Sequence, residues 1–167
     1  YTYVYNGSQL TRMTVDGHTY DFTYDATGTP LTVTVDGNVY YYITNLQGDV
    51  VSIQNQNGHC VAAYIYDAWG NVICNNFYPD VIHNPLLYRG YVYDQETGLY
   101  YLQSRYYNPE IGRFINADGL LATGQGFLGN NMFAYCGNNP ILKSDPTGLC
   151  HGYPNNPNLA AQHLLKE

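Results

Sequence analysis

Charged residues are scarce in this sequence. They make up 11% of its 167 residues, and only six are lysine or arginine. A surface that binds nucleic acid or an anionic membrane needs a basic patch facing the phosphates. The formal charge of −7 argues against such a patch, so we expect no nucleic-acid partner and no direct membrane insertion. No apolar run approaches the roughly 18 residues of a membrane span.

Metal-ligand spacing and redox motifs are missing too. The five histidines form no cluster, and no CxxC pair occurs among the four cysteines Cys60, Cys74, Cys136 and Cys150. This spacing permits disulfides without requiring them, and it predicts no metal and no cofactor. No signal peptide is visible, and the chain opens on YTYVYNG, already inside a strand-like pattern, as expected of a piece of a longer polypeptide.

Tyrosine and glycine are abundant, with 20 and 17 residues. Tyrosine favours half-buried pleated surfaces, so the composition predicts an all-β protein. Three related segments begin at Gly17, Gly37 and Gly58 and read GHTYDFTYDATG, GNVYYYITNLQG and GHCVAAYIYDAWG. Each predicts a strand, a turn, a strand and a turn, so residues 1–74 are expected to form a strip of antiparallel hairpins with open edges.

The turns of these repeats have clear signatures. VDG at 15–17 and 35–37 contains the Asp-Gly pair that suits a tight hairpin. Tyrosines recur on alternate positions, which share one face of a strand. Two interpretations follow: an aromatic surface that binds sugars, or a sheet in which the rings serve packing, and the second is favoured because the tyrosines follow the repeat.

The pattern changes from residue 75. Residues 75–87 are predicted to be a linker loop, and 88–149 form a denser, loop-rich segment. In that segment DQETG (94–98) and NPEIGR (108–113) predict hairpin turns. Residues 150–167 are polar and contain proline, and they are expected to begin a separate C-terminal region.

Nearly the whole sequence resembles the Rhs, or YD-repeat, family, loosely over 1–74 and closely over 86–149. YRGYVYDQETGLYYLQSRYYNPEIGRF (88–114) is similar to the family's repeat-associated core, which typically reads YRGxYYDxETGLYYLxxRYYDPxxGRF. NNPILKSDPTGL (138–149) matches the closing signature PxxxxDPxGL. The YD pairs at 24–25 and 66–67, each with a glycine three residues after the acid, match the repeat.

The resemblance implies both a fold and a function. Rhs proteins include bacterial polymorphic toxins, the C subunit of Tc toxins and distant relatives among the teneurins. Their repeats form a β-sheet strip that spirals into a hollow shell. In toxin members the core closes the shell and cuts the chain after the closing signature, which frees a C-terminal toxin inside. The parent shell and its toxin are thus the expected partners, and the expected location is secreted or bacterial cell-surface.

The resemblance also implies site residues. The expected cut lies between Leu149 and Cys150, and Asp118 and Asp145 occupy the family's two recurrent acid positions. As an aspartyl-protease-like dyad, one carboxylate would act as base on a water and the other as acid toward the peptide. Arg113 is expected to hold an acid in place or to stabilise developing negative charge.

Other roles stay open for these residues. Pro140, Pro146 and Gly148 shape a turn, and Asp145 before a proline is also a common turn-former. Cys150 beside His151 is an alternative nucleophile. Three classes of function therefore compete: a shell scaffold, a self-cleaving protease, and a non-catalytic surface module whose tyrosine-rich sheet recognises glycans or a partner protein.

Overall fold

The computed structural model describes residues 2–77, 83–118 and 131–149. Part of the predicted linker and the predicted C-terminal region 150–167 lie outside the described residues, as does Cys150. The described residues divide into two compact units. One lies within Tyr1–Asp67 and Val72–Val92, and the other within Ala68–Asn71 and Tyr93–Glu167.

In the described part of the chain, eight strands form one antiparallel sheet in which each strand pairs with its neighbour in sequence. The predicted all-β strip of hairpins is therefore confirmed, and β1 and β8 form the two edges of an open sheet. The strands are β1 (Thr2–Asn6), β2 (Gln9–Val15), β3 (His18–Tyr24), β4 (Pro30–Val35), β5 (Asn38–Thr44), β6 (Val50–Asn55), β7 (Cys60–Tyr66) and β8 (Val72–Phe77).

A second antiparallel sheet follows, in the order β12-β11-β10-β9. Short 3₁₀ turns lie at Tyr88–Gly90 and Cys136–Asn138, and long connections join these elements. The predicted loop-rich end of the fold is confirmed, and the turns predicted from DQETG and NPEIGR do join consecutive strands. The strands are β9 (Val92–Asp94), β10 (Leu99–Tyr101), β11 (Tyr106–Asn108) and β12 (Arg113–Phe114).

The VDG turns are the tight hairpins predicted from the sequence. Asp16 and Gly17 have φ of 50° and 85°, and Asp36 and Gly37 have φ of 49° and 86°. Two successive positive φ values match the twist of a two-residue hairpin, and Asp-Gly tolerates them better than most residue pairs. The turn chemistry thus sets the register of these two hairpins.

The acid of the YD pair shapes a turn. One carboxylate oxygen of Asp25 accepts the backbone N–H groups of Thr27 and Thr29, at 2.8 and 2.9 Å. Asn45 and Asn55 accept two N–H groups in the same way in the following turns. The side chain at this position therefore satisfies backbone donors where the strand pairing stops.

Alternate residues of the large sheet are buried and form the core of the first unit. The hydroxyl of Tyr24 donates to the carbonyl of Leu10 and that of Tyr66 to the carbonyl of Val50, both at 2.7 Å. These bonds recur at equivalent points of two repeats and satisfy the polar end of a ring whose body is packed. The buried strand residues include Leu10, Met13, Val15, Tyr20, Phe22, Val33, Tyr42, Ile53, Ala62 and Tyr64.

Asn84 is a buried polar centre in the same unit. Its side-chain oxygen accepts the hydroxyl of Tyr42 at 2.8 Å and the N–H of Leu86 at 3.1 Å. Its amide nitrogen donates to the hydroxyl of Tyr64 at 3.2 Å and to the carbonyl of Leu86 at 2.8 Å. The amide thus ties residues after β8 to two tyrosines of the sheet, and all its bonds are buried.

Arg89 of the YRG motif is buried against an acid of the first unit. Its backbone N–H donates to Asp49 at 3.0 Å, and its guanidinium donates to the carbonyl of Gln47 at 2.7 Å. The guanidinium Nε lies 3.6 Å from the Asp49 carboxylate, and the two side chains are only 3% and 6% exposed. Arg89 has a φ of 55°, so the backbone takes a left-handed turn to reach this position.

The buried tyrosines predict a loss of stability at alkaline pH. Burial raises the pKa of Tyr24 and of Tyr42 above its ordinary value of 10.0, and raises that of Tyr64 to about 12. The stabilising effect of the neutral phenols is fully present below pH 10, the pKa in the unfolded chain. Above it, the unfolded chain loses protons that the folded chain keeps, so stability falls by up to about 1.4 kcal/mol per pH unit per group.

Chemical denaturation between pH 9 and pH 11.5 checks this prediction. The free energy of unfolding should be flat up to about pH 10 and then fall steeply, since the three pKa values are raised. Tyr64→Phe removes one titrating group and should make the fall shallower. A free energy of unfolding that stays constant to pH 11.5 would contradict the prediction.

Candidate functional site

The second unit is built on a cluster of aromatic rings. The hydroxyls of Tyr100 and Tyr107 donate to the carbonyls of Gly70 and Trp69, at 2.8 and 2.7 Å. The rings of Tyr107 and Tyr135 have centroids 4.2 Å apart. These packed rings hold β10 and β11 firmly beneath the turn that joins them. The buried rings are Tyr100, Tyr107, Phe114 and Tyr135.

Arg105 lies at the end of that turn, immediately before β11. The turn is tight: the N–H of Leu102 donates to the carbonyl of Arg105 at 2.9 Å, and Gln103 has a φ of 64°. The guanidinium carbon of Arg105 lies 3.6 Å from the centroid of the Phe114 ring, and the side chain is 5% exposed. A cation buried on an aromatic face needs anionic and carbonyl partners around its edge.

Asp118 and Asp145 are those anionic partners. Nη2 of Arg105 lies 3.0 Å from Oδ2 of Asp118 and 3.3 Å from Oδ2 of Asp145. The Asp118 side chain is 17% exposed and that of Asp145 is 3% exposed. The structure therefore brings together the two acids named from the sequence. Their Oδ2 atoms both contact the same nitrogen, Nη2 of Arg105.

Two backbone carbonyls complete the surroundings of the guanidinium. Nη1 of Arg105 donates to the carbonyl of Met132 at 3.1 Å, and Nε donates to the carbonyl of Gly148. The carbonyl of Met132 also accepts the N–H of Asp118, at 2.9 Å. One arginine thus joins the residues after β12, the segment at 132 and the closing turn at 145–148.

The closing turn is held by three successive residues. Nε2 of Gln103 donates to the carbonyl of Pro146 at 2.9 Å, and Oγ of Ser104 donates to that of Thr147 at 2.7 Å. The N–H of Ser104 donates to the same Thr147 carbonyl at 3.3 Å, and Nε of Arg105 donates to the carbonyl of Gly148. We refer to Gln103, Ser104 and Arg105 as the carbonyl clamp.

Gly148 fits the clamp only because it has no side chain. A Cβ placed there would lie 2.6 Å from the carbonyl oxygen of Leu102 and 2.7 Å from Oγ of Ser104, and φ is +70°. Of the two prolines in the motif, Pro140 is buried and Pro146 is exposed. The predicted turn is present, since the N–H of Gly148 faces the carbonyl of Asp145 at 3.4 Å.

The remaining predicted site residues lie elsewhere. Arg113 is exposed on β12, where it pairs across the sheet with Asn108. Leu149 is half-buried, and its N–H faces Oγ1 of Thr147 at 3.4 Å. Cys150 lies outside the described residues. The arginine that contacts both acids is Arg105, which the sequence reasoning did not name, and the predicted role of Arg113 stays a prediction.

The tyrosines of the sheet divide between two environments. Tyr20, Tyr42 and Tyr64 are buried, whereas Tyr3 and Tyr41 are more than two fifths exposed. The buried rings serve packing, and the exposed ones leave the aromatic-surface interpretation a prediction. Within residues 2–77, 83–118 and 131–149, no cluster of three or more His, Cys, Asp or Glu could hold a metal ion. No helix there is long and apolar enough to cross a membrane.

An open sheet of repeated hairpins followed by a loop-rich segment is the fold that the resemblance to YD-repeat proteins predicted. The model of the teneurin YD-shell family matches residues 1–141. The chain therefore belongs to the teneurin YD-shell family, and the Rhs/YD-repeat resemblance seen in the sequence is confirmed.

A protein named as a nuclease and one named as a toxin are among its relatives. The chain is 42% identical over 130 residues to the tRNA3(Ser)-specific nuclease WapA of Bacillus spizizenii, which covers 78% of this chain and 6% of that protein. It is 32% identical over 114 residues to the toxin protein Tse5 of Pseudomonas aeruginosa, covering 68% of this chain and 8% of the relative. The chain thus corresponds to a small part of these much longer relatives.

Solved structures share the fold. The crystal structure of TcdB2-TccC3 without its hypervariable C-terminal region matches with a TM-score of 0.69 and 23% identity, covering 84% of this chain and 7% of that one. The Photorhabdus luminescens Tc holotoxin pore matches with a TM-score of 0.68 and 22% identity, covering 86% and 7%. At this identity the likeness shows the fold alone.

Proposed function

We propose that this chain forms and closes part of a β-shell around a C-terminal toxin, and that its core cuts its own backbone between Leu149 and Cys150. One observation carries the cleavage proposal: Nη2 of Arg105 contacts the carboxylates of both Asp118 and Asp145. Acids widely separated in sequence are thereby placed side by side, next to the turn that ends at Leu149.

The proposed reaction is hydrolysis of one peptide bond by water. One carboxylate accepts a proton from the water, whose oxygen attacks the carbonyl carbon of Leu149. The other carboxyl donates a proton to the nitrogen of Cys150 as the carbon–nitrogen bond breaks. The products are a new carboxylate on Leu149 and a new amine on Cys150, so a single water balances the reaction.

Arg105 supports this reaction by positioning both acids. Its planar guanidinium presents several N–H groups in a rigid arrangement, so the two carboxylates and two backbone carbonyls are held relative to each other. Cleavage requires a water to reach the Leu149 carbonyl, and Asp118 is the more exposed of the two acids. We therefore assign the activation of water to Asp118 and the proton donation to Asp145.

The proposed role as part of a shell also indicates which molecules this chain contacts. The open edges β1 and β8 fit a sheet that continues into further repeats, and the relatives WapA and Tse5, the second of them named as a toxin, are far longer than this chain. The remainder of a parent shell and a C-terminal toxin are the proposed partners. By the same reasoning, the parent protein is proposed to be secreted or displayed on a bacterial surface.

Replacement of either acid by its amide should abolish cleavage. The chain is fused to a reporter protein after Glu167, and its intact mass is followed by mass spectrometry. The wild type should yield a fragment ending at Leu149. Asp118→Asn and Asp145→Asn should each slow its formation by about 100-fold or more, the usual contribution of a general acid or base.

Asp94→Asn is the matched control, because Asp94 shapes an exposed turn of the same unit through its carboxylate. It should cut like the wild type. A single uncut mass for the folded wild type would contradict the protease proposal and leave the shell role in place. Equal cutting in wild type, Asp118→Asn and Asp145→Asn would assign the cleavage to other residues.

A further inference from the structure

We propose that the carbonyl clamp selects the bond that is cut, with Gln103 and Ser104 as positioning residues for the closing turn that leads to Leu149. This inference rests on the proposed self-cleavage and adds the rule by which the core recognises its own substrate. The clamp donates hydrogen bonds to backbone carbonyls, and it leaves room for glycine alone at position 148. The recognised class of substrate is therefore a glycine-containing turn carried on the same chain, with the glycine immediately before the residue whose carbonyl is attacked.

The first support is the register of the contacts. Three successive carbonyls, of Pro146, Thr147 and Gly148, each accept a hydrogen bond from one of three successive clamp residues. Sliding this turn by one residue would require all three hydrogen bonds to break and to form again with different carbonyls. The position of the next residue, Leu149, is thereby set relative to the two acids.

The second support is the fit of Gly148. A side chain at this point would collide with the carbonyl oxygen of Leu102 and with Oγ of Ser104, and the positive φ disfavours other residues. If the closing turn shifted by one residue, Thr147 or Leu149 would enter the position that only glycine fits. The glycine thus excludes both neighbouring registers, which hydrogen bonds to the backbone alone would not distinguish.

The third support is the conformation of Gln103. This residue has a left-handed φ of 64°, which is uncommon for a side chain other than glycine, asparagine or aspartate. The strained turn brings its amide to the exposed Pro146, where it donates to the carbonyl. Backbone strain maintained at a contact with a substrate segment is typical of a functional position.

The test compares cleavage rate and cleavage position in the fusion protein. Gln103→Ala/Ser104→Ala should cut about 100-fold more slowly, about 10-fold for each lost side-chain hydrogen bond. It should also yield fragments that end at residues other than Leu149. Ser104→Thr keeps the hydroxyl. With Gln103 unchanged, this variant should yield the single fragment that ends at Leu149, as the wild type does. The matched control Gln95→Ala/Thr97→Ala changes an exposed glutamine and a hydroxyl bonded to Asp94, and should cut like the wild type.

A second measurement does not depend on cleavage. In the uncut Asp118→Asn background, hydrogen exchange of residues 147–149 should be about 10-fold faster or more when Gln103 and Ser104 are alanine. A wild type that cuts, with a clamp variant that cuts at the same bond and rate, overturns the clamp inference alone. A wild type that does not cut overturns the proposed protease, and unchanged exchange then overturns the clamp as well.

Discussion

Arg105→Leu should lower the free energy of unfolding of the second unit by about 3–5 kcal/mol, the usual effect of removing one partner from a buried ion pair. The substitution removes the cation that Asp145 and Asp118 both contact, and Asp145 is almost fully buried. It also removes the donors to the carbonyls of Met132 and Gly148. Self-cleavage should be lost in the same variant.

Trp69 is the only tryptophan of the chain and belongs to the second unit, so its fluorescence during denaturation by urea reports this change. The control is Arg12→Leu in the first unit, followed by far-UV circular dichroism, because Arg12 forms an exposed pair with Asp21 at about half exposure. Exposed pairs contribute about 1 kcal/mol or less. Equal effects of the two substitutions would show that the buried arrangement around Arg105 does not stabilise the fold.

Arg89→Leu should have an effect of similar size in the first unit, again about 3–5 kcal/mol. The substitution leaves the Asp49 carboxylate, which is 6% exposed, without the guanidinium beside it. It also removes the donor to the carbonyl of Gln47. Leucine is unbranched at Cβ like arginine, so the left-handed backbone at this position should be no more strained than before.

Far-UV circular dichroism during denaturation follows the large sheet and checks this prediction. Arg89→Leu/Asp49→Asn should recover part of the lost stability, because the buried negative charge is then removed as well. In that double variant, the side-chain oxygen of residue 49 can still accept the hydrogen bond that Nδ2 of Asn45 donates to Asp49 in the wild type. If Asp49→Asn made the Arg89→Leu protein less stable still, an uncompensated charge could not be the cause of the first loss.

The repeats could be predicted from the sequence because their signals are local. Asp-Gly at 16–17 and 36–37 determines two hairpins through its own backbone preferences, without help from distant residues. Alternation of large side chains then assigns the two faces of each strand. Asn84 gave no such signal, since its partners Tyr42 and Tyr64 lie in distant strands and meet it only after the sheet has formed.

Strand alternation gives a physical reason for the different positions of Arg113 and Arg105. Arg113 precedes Phe114, which is buried on β12, so its own side chain points to the opposite face. Arg105 stands two residues before the buried Tyr107 and therefore lies on the inward face. This signal was available in the sequence. The meeting of Asp118 with Asp145 was not, because long connections determine it and no periodicity describes them.

The contacts around Arg105 also order events during synthesis. The guanidinium is made early, whereas its partners at 118, 132, 145 and 148 emerge from the ribosome one after another. A nascent chain that ends before Asp145 carries a cation whose burial is still incomplete. The second unit can reach its final packing only when the closing turn has been translated, so the proposed cleavage would follow the synthesis of residues 145–148.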